Sequence, residues 1–306
     1  MTEIVAVANP RAAGGKAKRY ANRLHRFLSS NDLMVSLRFT RGPADATRIT
    51  REAIAEGAEV VLAIGGDGTL NEVVNGFFPS QRDGPSRTAL AIAPIGTGAD
   101  FAKTVGHGSS PPEVLDRLRR SRRRAIDVGL VEHPDLKGRP SSRYFVNIAE
   151  FGSGAAVVEK VNRSWKLLGG RMTFLLAILS TMPKYRNTRA EFRLADGTTG
   201  DGVMNTFVVA NGRHFGTNLL PAPNAEIDDG LFDVVIIGDI DWAYVKKHLK
   251  DLRRGTHLGL KEVTFHRTPD LVTVSKERAY LELDGELVGY DPTRFTCIPR
   301  AIDLLV

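Results

Sequence analysis

Cysteine is nearly absent. Cys297 stands alone among 306 residues, which excludes an internal disulfide framework and any cysteine-based zinc cluster. Long apolar runs are missing too: none reaches the roughly 20 residues that span a bilayer as a helix. Nor does the N-terminal stretch carry a signal peptide's apolar core, so a cytoplasmic protein is expected. No internal repeat or low-complexity tract is visible. What is present suits a globular chain of two domains, with 42% hydrophobic and 25% charged residues. A formal net charge of +7 fits an acidic partner, whether nucleotide, anionic lipid surface or nucleic acid, without choosing among them.

One stretch organises the rest, Val60-Val61-Leu62-Ala63-Ile64-Gly65-Gly66-Asp67-Gly68-Thr69-Leu70-Asn71-Glu72-Val73-Val74-Asn75-Gly76. The apolar run at its front reads as a strand buried on both faces of a parallel sheet. Thr69 followed by Glu72 reads as a capping box, Leu70, Val73, Val74 and Phe77 recur at helical spacing, and Gly76 reads as the stop. The glycines therefore sit at a strand-to-helix turn, where bare backbone can approach a ligand and free N–H groups can meet an anion. A carboxylate there, Asp67, makes chemical sense if it holds Mg²⁺ or takes a proton. A simple tight turn is the competing reading. Neither Gly-Lys-Ser/Thr nor G-x-G-x-x-G follows, so this is not a Walker loop or a dinucleotide fingerprint.

Strands and helices alternate through the first ~130 residues, which predicts a doubly wound parallel sheet with ligands beyond the carboxyl ends of its strands. Ile4–Ala8 runs into Asn9-Pro10-Arg11-Ala12-Ala13-Gly14-Gly15-Lys16, a second candidate phosphate cradle. Thr40 follows a strand, Asp45–Glu56 reads as a helix, and the loop from Pro94 to Lys103 follows the strand at Ala89–Ala93. A helix from Pro111-Pro112 ends in Arg117, Arg119, Arg120, Arg122, Arg123 and Arg124, either a solvated helix end or a contact for anionic lipid. Nucleic acid is not expected, because no aromatics are interleaved to stack on bases. From Ile126 onward short strands dominate, including Tyr144–Ala149, and predict an antiparallel sandwich. Two helices interrupt it, Val157–Thr181 with a break at Gly169-Gly170, and Asp241–Arg254 capped by Gly255. The apolar stretch Trp165–Leu179 with its basic border reads as core or as a membrane-docking face.

Five segments in order resemble the diacylglycerol kinase-like lipid kinases. Gly65–Glu72 resembles their GGDGT motif, which NAD kinases and phosphofructokinases share, and Asn71-Glu72 tilts the match toward the lipid kinases. Asn9–Lys16 is similar to their NPxAGxG-type segment, and Pro94–Lys103 to PxGTxNDFAR, with Ala99 in place of Asn and Lys103 in place of Arg. Pro221–Asp233 resembles APxAxxxDGxLD, and Asp284-Gly285-Glu286 their DGE. The resemblance implies an NAD kinase/diacylglycerol kinase-like parallel-sheet domain over 1–127 and a β-sandwich lipid-substrate domain over 128–294, with 295–306 open to a return to the first.

It further implies ATP held against Asn9, Pro10, Arg11, Ala12 and Ala13, against Thr40, against Gly66 to Glu72 (Asp67, Gly68, Thr69, Leu70 and Asn71 between), and against Thr97. Mg²⁺ would neutralise the phosphates within a carboxylate and water network of Asp67, Asp100 and Asp127. A structural Mg²⁺ would take Glu226, Asp229 and the Leu231 carbonyl. Asp284 would accept the proton of a lipid hydroxyl lying between the domains, with Glu286 second, although Asp-Gly between apolar alternations is equally a hairpin signal. The implied reaction is diacylglycerol to phosphatidic acid at a membrane surface, with sphingosine, ceramide, phosphatidylglycerol or monoacylglycerol as alternative acceptors. An NAD kinase and a non-catalytic lipid-binding protein are the competing functions, peripheral contact with anionic membranes is expected, and a homodimer stays open.

Overall fold

A computed structural model describes residues 3–78, 87–96, 98–163, 170–216 and 219–306. Thr97 of the Pro94–Lys103 loop and Trp165 to Leu168 of the apolar stretch lie outside the described residues. The chain divides into two compact units, Met1–Asp127 with Arg300–Val306, and Val128–Pro299.

The first unit alternates β1 (Ile4–Ala8), α1 (Lys16–Ser29), β2 (Val35–Phe39), α2 (Asp45–Ala55), β3 (Val60–Gly65), α3 (Asp67–Gly76), β4 (Ala89–Pro94), α4 (Asp100–Thr104) and α5 (Pro111–Arg120). Its strands lie in the order β2-β1-β3-β4, all parallel. Helices cover such a sheet on its faces, so every residue of β1 and β3 is buried. α1 turns Tyr20, Leu24 and Leu28 inward at helical spacing, into a cluster with Ile4, Leu62 and Ala91. Burying each such leucine contributes about 1.5–3 kcal/mol. The registers set Ala8, Phe39, Ile64 and Ala93 level with one another. The loops that follow these four residues therefore share one edge. In the chain's closing strand Leu304 pairs in parallel with Leu90, and Val306 N donates to Arg122 O at 2.9 Å.

One expected feature of this unit is overturned. Thr69 does not cap α3: the N-cap is Gly66, and Asp67 already lies in the helix. Thr69 instead packs against Gly65, where a Cβ would come within 2.5 Å of the Thr69 Cβ. Glu72 caps the neighbouring helix, accepting from Ala44 N at 2.9 Å and Ala46 N at 3.0 Å at the start of α2. Gly76 is the last residue of α3, as its sequence position suggests, and it also lies against α2, where a Cβ would stand 2.5 Å from Thr50 Cβ and 2.9 Å from Thr47 O.

The arginine run is also divided. α5 ends at Arg120 under a capping box of Ser110 and Glu113 at its other end. Arg117 Nη2 donates inward to Ile92 O (3.0 Å) and Gly108 O (2.9 Å), and Arg119 to Asn31 O. Arg120 pairs with Asp116, and Arg123 with Asp303. Arg117 is thus drawn inward, while Arg119, Arg120, Arg122, Arg123 and Arg124 remain exposed.

The second unit holds most of β5 (Arg123–Pro134), then β6 (Pro140–Phe145), β7 (Ile148–Gly152), α6 (Ser153–Arg163), α7 (Gly170–Thr181), β8 (Thr188–Leu194), β9 (Thr199–Ala210), β10 (Phe232–Gly238) and α8 (Trp242–Arg254). β11 (Val263–Thr268), β12 (Asp270–Ser275), β13 (Tyr280–Leu283), β14 (Glu286–Tyr290) and the part of β15 (Thr293–Leu305) up to Pro299 complete it. These strands pair antiparallel as a β-sandwich, with the path β14-β13-β7-β9-β8-β12-β15 and β10 bridging β9 to β11. Its core stacks Phe145 on Phe232 and Phe151 on Phe207. The strand expected over Tyr144–Ala149 is two strands, broken at Val146-Asn147.

Gly76→Ala should lower stability by about 1–3 kcal/mol, the usual cost of overpacking a closed contact. Denaturant unfolding checks this, and wild-type stability would contradict the close α2–α3 approach.

Candidate active site

At the shared edge of the first unit, each βα loop is shaped by backbone bonds. Asn9 ends β1, its N donating to Ile64 O at 3.2 Å and its Oδ1 accepting from Arg11 N at 3.0 Å. Ala13, Gly14 and Gly15 then follow in the left-handed region, with open space beside both glycines. Pro10 and Ala12 are half-buried and Arg11 is exposed. Thr40 N donates to Ala8 O at 2.9 Å, which holds Thr40 beside this loop. The structure thus gathers Asn9–Ala13, Thr40, Gly66–Gly68 and the loop after β4 along one edge.

Asp67 is the centre of that edge. Its Oδ1 accepts from Asp100 N (2.8 Å) and Phe101 N (3.3 Å), so the carboxylate at the start of α3 opens α4. A Cβ built on Gly98 would lie 3.0 Å from Asp67 Oδ2 and 3.2 Å from Asp100 Oδ2. Two carboxylate oxygens therefore converge on one point, and only glycine leaves that point clear. Lys103 Nζ, 2.7 Å from Asp100 Oδ1, partly offsets the charge. Mg²⁺ is held by one or two carboxylates with the rest of its shell from water and phosphate, so Asp67 and Asp100 fit it. Asp127 is placed otherwise: it is fully buried, and its Oδ1 accepts from Arg300 N at 2.7 Å. Farther along α3, Thr69, Leu70 and Asn71 are buried and Glu72 is spent on α2, so their side chains serve packing.

In the second unit, the loop at Glu226–Leu231 is less open than the expected cation site. Asp229 Oδ1 accepts from Leu231 N at 3.0 Å, and its Oδ2 pairs with Arg267. Arg267 Nε also reaches the buried Asp233 at 3.1 Å, while Glu226 is exposed. Burial raises the Asp233 carboxyl and Arg267 works against it. The cation that meets Asp229 is thus a guanidinium, and among the described residues no three acidic, His or Cys side chains cluster to hold a metal. As arranged, this loop does not fit a resident Mg²⁺.

Asp284 and Gly285 occupy the tip between β13 and β14 with φ of 50° and 85°, the left-handed pair of a two-residue hairpin turn. The hairpin reading of Asp-Gly is correct, and the carboxylate does more. Asp284 Oδ2 accepts from Val146 N (3.0 Å), and Oδ1 from Asn147 N (2.9 Å) and Ile148 N (3.1 Å). Two of those amides lie in the break between β6 and β7, and the third opens β7. Glu286 is exposed at the start of β14.

Sequence reasoning passed over two residues beside this turn, Glu150 on β7 and Glu282 on β13. They are direct cross-strand partners and both are buried. A signal was available: each is a lone acid within an apolar run, Ile148-Ala149-Glu150-Phe151 and Leu281-Glu282-Leu283.

Two families match the chain in tandem. A diacylglycerol kinase catalytic domain matches residues 3–131, and a YegS C-terminal NAD kinase beta sandwich-like domain matches 147–306. A probable lipid kinase YegS-like protein of Chromohalobacter salexigens is 30% identical over 271 residues, 88% of this chain and 83% of that one. A diacylglycerol kinase of Bacillus subtilis is 29% identical over 86% of this chain and 82% of its own length. Among solved structures, a putative diacylglycerol kinase from Bacillus anthracis superposes with a TM-score of 0.78 at 20% identity, covering 99% of this chain and 97% of that chain. Yeast NADH kinase complexed with NADH gives 0.50 at 10% identity, covering 99% and 82%. At these identities the two structures speak for the fold alone.

Two substitutions check the geometry. Ala99 has φ of 49°, a conformation in which alanine is strained and Asn or Gly is at ease. Ala99→Gly should therefore raise stability by about 0.5–1 kcal/mol, read as a higher Tm. Asp284→Ala strands three buried amides and should cost about 3 kcal/mol in denaturant unfolding; a cost under 1 kcal/mol would contradict the clasp.

Proposed function

The chain belongs to the diacylglycerol kinase-like lipid kinases, and from that premise we propose that it moves the γ-phosphoryl group of ATP to the hydroxyl of diacylglycerol, giving phosphatidic acid. The observation that carries this reading is the meeting of Asp67 and Asp100 beside Gly98 at the carboxyl edge of a parallel sheet. The left-handed turn at Ala13–Gly15 and the amides at the start of α3 supply neutral donors for phosphate oxygens. Mg²⁺ between Asp67 and Asp100 would offset the charge of those phosphates. Asp67 has the further task of keeping the Gly98–Asp100 segment in place through its two amide bonds.

On the acceptor side we read the base as Glu286 rather than Asp284. A carboxylate offers about four lone-pair sites, and three of those on Asp284 are taken by amides. Glu286, exposed two residues on, is the acid of the turn placed to accept a proton from a hydroxyl, and Asp284 holds the turn that carries it.

Membrane contact rests on α7. Leu176 and Leu179 are 45% and 51% exposed there, more apolar surface than a helix in a closed core would show. Among the described residues no helix is long and apolar enough to cross a membrane. The two exposed leucines support a peripheral contact with an anionic surface, to which lysines and arginines near it add about 1 kcal/mol each.

Labelled ATP offered with a panel of lipids in mixed micelles, and with NAD⁺, should label diacylglycerol; labelling of NAD⁺ alone, or of no acceptor, would overturn the reading. Glu286→Gln should lower kcat by about 10² to 10⁴ with nucleotide binding unchanged, whereas full turnover would return the role to Asp284. Co-sedimentation with vesicles should rise with anionic lipid, fall with salt, and weaken in Leu176→Ser/Leu179→Ser. Indifference to all three would leave α7 without a membrane role.

A further inference from the structure

The most unusual chemistry outside these assignments is the pair Glu150 and Glu282. Directly opposed residues on antiparallel strands point to the same face of the sheet with Cβ atoms about 5 Å apart. Both side chains are enclosed, at 3% and 0% exposure. Glu150 Oε1 accepts from Gly154 N at 2.7 Å where α6 begins, and Ala155 N and the Thr206 hydroxyl also act on this carboxyl. Glu282 Oε2 accepts from Gly285 N at 2.8 Å, while its Oε1 is buried with no partner.

Among the described residues, no cation is seen to act on Glu282. The charges acting on Glu282 are those of Glu150, Asp284 and Glu286, all carboxylates. Tyr185 lies near Glu150. α6, packed over β7, β13 and β14, contributes Glu159, half-buried, and Lys160, exposed. Two bare carboxylates enclosed at this separation would repel in a medium that screens poorly, each without the solvation it had in water. One proton between them removes the repulsion and supplies a donor where the pair otherwise has only acceptors. Burial accordingly raises both carboxyls above the ordinary 4.5, and for Glu282 the charge of Glu150 adds to it.

We propose that Glu150 and Glu282 hold a single shared proton and act together as positioning residues for the Asp284-Gly285-Glu286 turn. The connection is Gly285 N, the amide between the two acids of the turn, which Glu282 Oε2 fixes from below while Asp284 fixes residues 146–148. β13 also slips register against β14 between Leu281 and Glu282, so the ladder alone does not determine where the turn points. The shared proton stands on the geometry alone; its consequence for turnover rests on the lipid kinase reading.

The test separates the two. Carboxyl ¹³C signals of glutamate-labelled intact protein, followed from pH 5 to 9, should show one glutamate carboxyl still protonated at neutral pH. Glu282→Gln, which keeps the shape and carries permanent N–H donors, should remove that late titration. A native carboxyl that titrates later than in the unfolded chain makes the native state the more protonated one. Stability is then fully present below about pH 4.5 and declines from there as pH rises through the native carboxyl's titration, the unfolding equilibrium shifting by up to about tenfold per pH unit. That slope should be absent from Glu150→Gln/Glu282→Gln when the difference from wild type is taken. If every glutamate of the wild type is ionised by pH 6, or if the late signal and the slope survive in both single variants, the shared proton is refuted. The wild-type spectrum decides even if a variant fails to fold. With diacylglycerol as acceptor, kcat of the wild type should fall with the loss of this proton while KM for ATP holds, and Glu282→Gln should flatten that limb. A flat wild-type limb alongside a confirmed proton would refute the positioning role and leave the dyad as a structural feature.

Discussion

Carboxylates that accept backbone amides hold this structure's irregular parts together. Main-chain N–H groups that leave a ladder or begin a helix need acceptors, and burying them without one costs about 1–3 kcal/mol each. Here the acceptor is repeatedly an acid from a distant segment. Asp67 takes the amides that open α4, Glu72 those that open α2, and Asp127 the amide of Arg300. Asp284 takes three in succession, from the break after β6 into the start of β7. Such charge-assisted bonds are stronger than neutral ones, which lets short loops with several left-handed residues keep one conformation. One of these acids, Asp67, is also the carboxylate that the proposed phosphoryl transfer would use. Its placement therefore comes from structural duties that are met before any ligand arrives.

This double use explains what could be read from the chain and what could not. The strand at Val60–Gly65, the glycine turn and the helix after it were legible because an apolar run, bare backbone and helical spacing are all local. The division into a parallel-sheet half and a β-sandwich half was legible for the same reason, and so was α8 with Asp241 and Gly255 at its ends. The cap on α3 was misread because a Thr-x-x-Glu pattern looks the same whether the glutamate turns back on its own helix or crosses to another. Glu72 crosses, to amides 26 and 28 positions earlier. Gly76 both ends α3 and admits α2 at close range, and only the first of these is legible locally.

The arginine run and the DGE turn teach the same lesson over longer spans. Six arginines in eight residues read as one electrostatic surface, yet Arg117 is drawn under by the carbonyls of Ile92 and Gly108. Asp284 reads correctly as a hairpin residue, while its clasp reaches 136 to 138 positions back. Glu150 and Glu282 escaped notice since nothing local says that two strands so far apart in sequence put them face to face. Register is a tertiary property, and an acid in an apolar strand signals only that some partner must exist.

The claim on which the functional account turns is that Asp67 both clasps the Gly98–Asp100 segment and, with Asp100, carries the metal of a metal–nucleotide complex. Asp67→Asn separates the two duties, for the amide oxygen can still accept from Asp100 N and Phe101 N while the charge is gone. The direct measurement is calorimetric titration of ATP into wild type and Asp67→Asn, each with and without Mg²⁺. The account predicts that Mg²⁺ tightens ATP binding to the wild type, that this gain disappears in Asp67→Asn, and that the variant's Tm stays close to wild type. An undiminished Mg²⁺ gain in Asp67→Asn would contradict it.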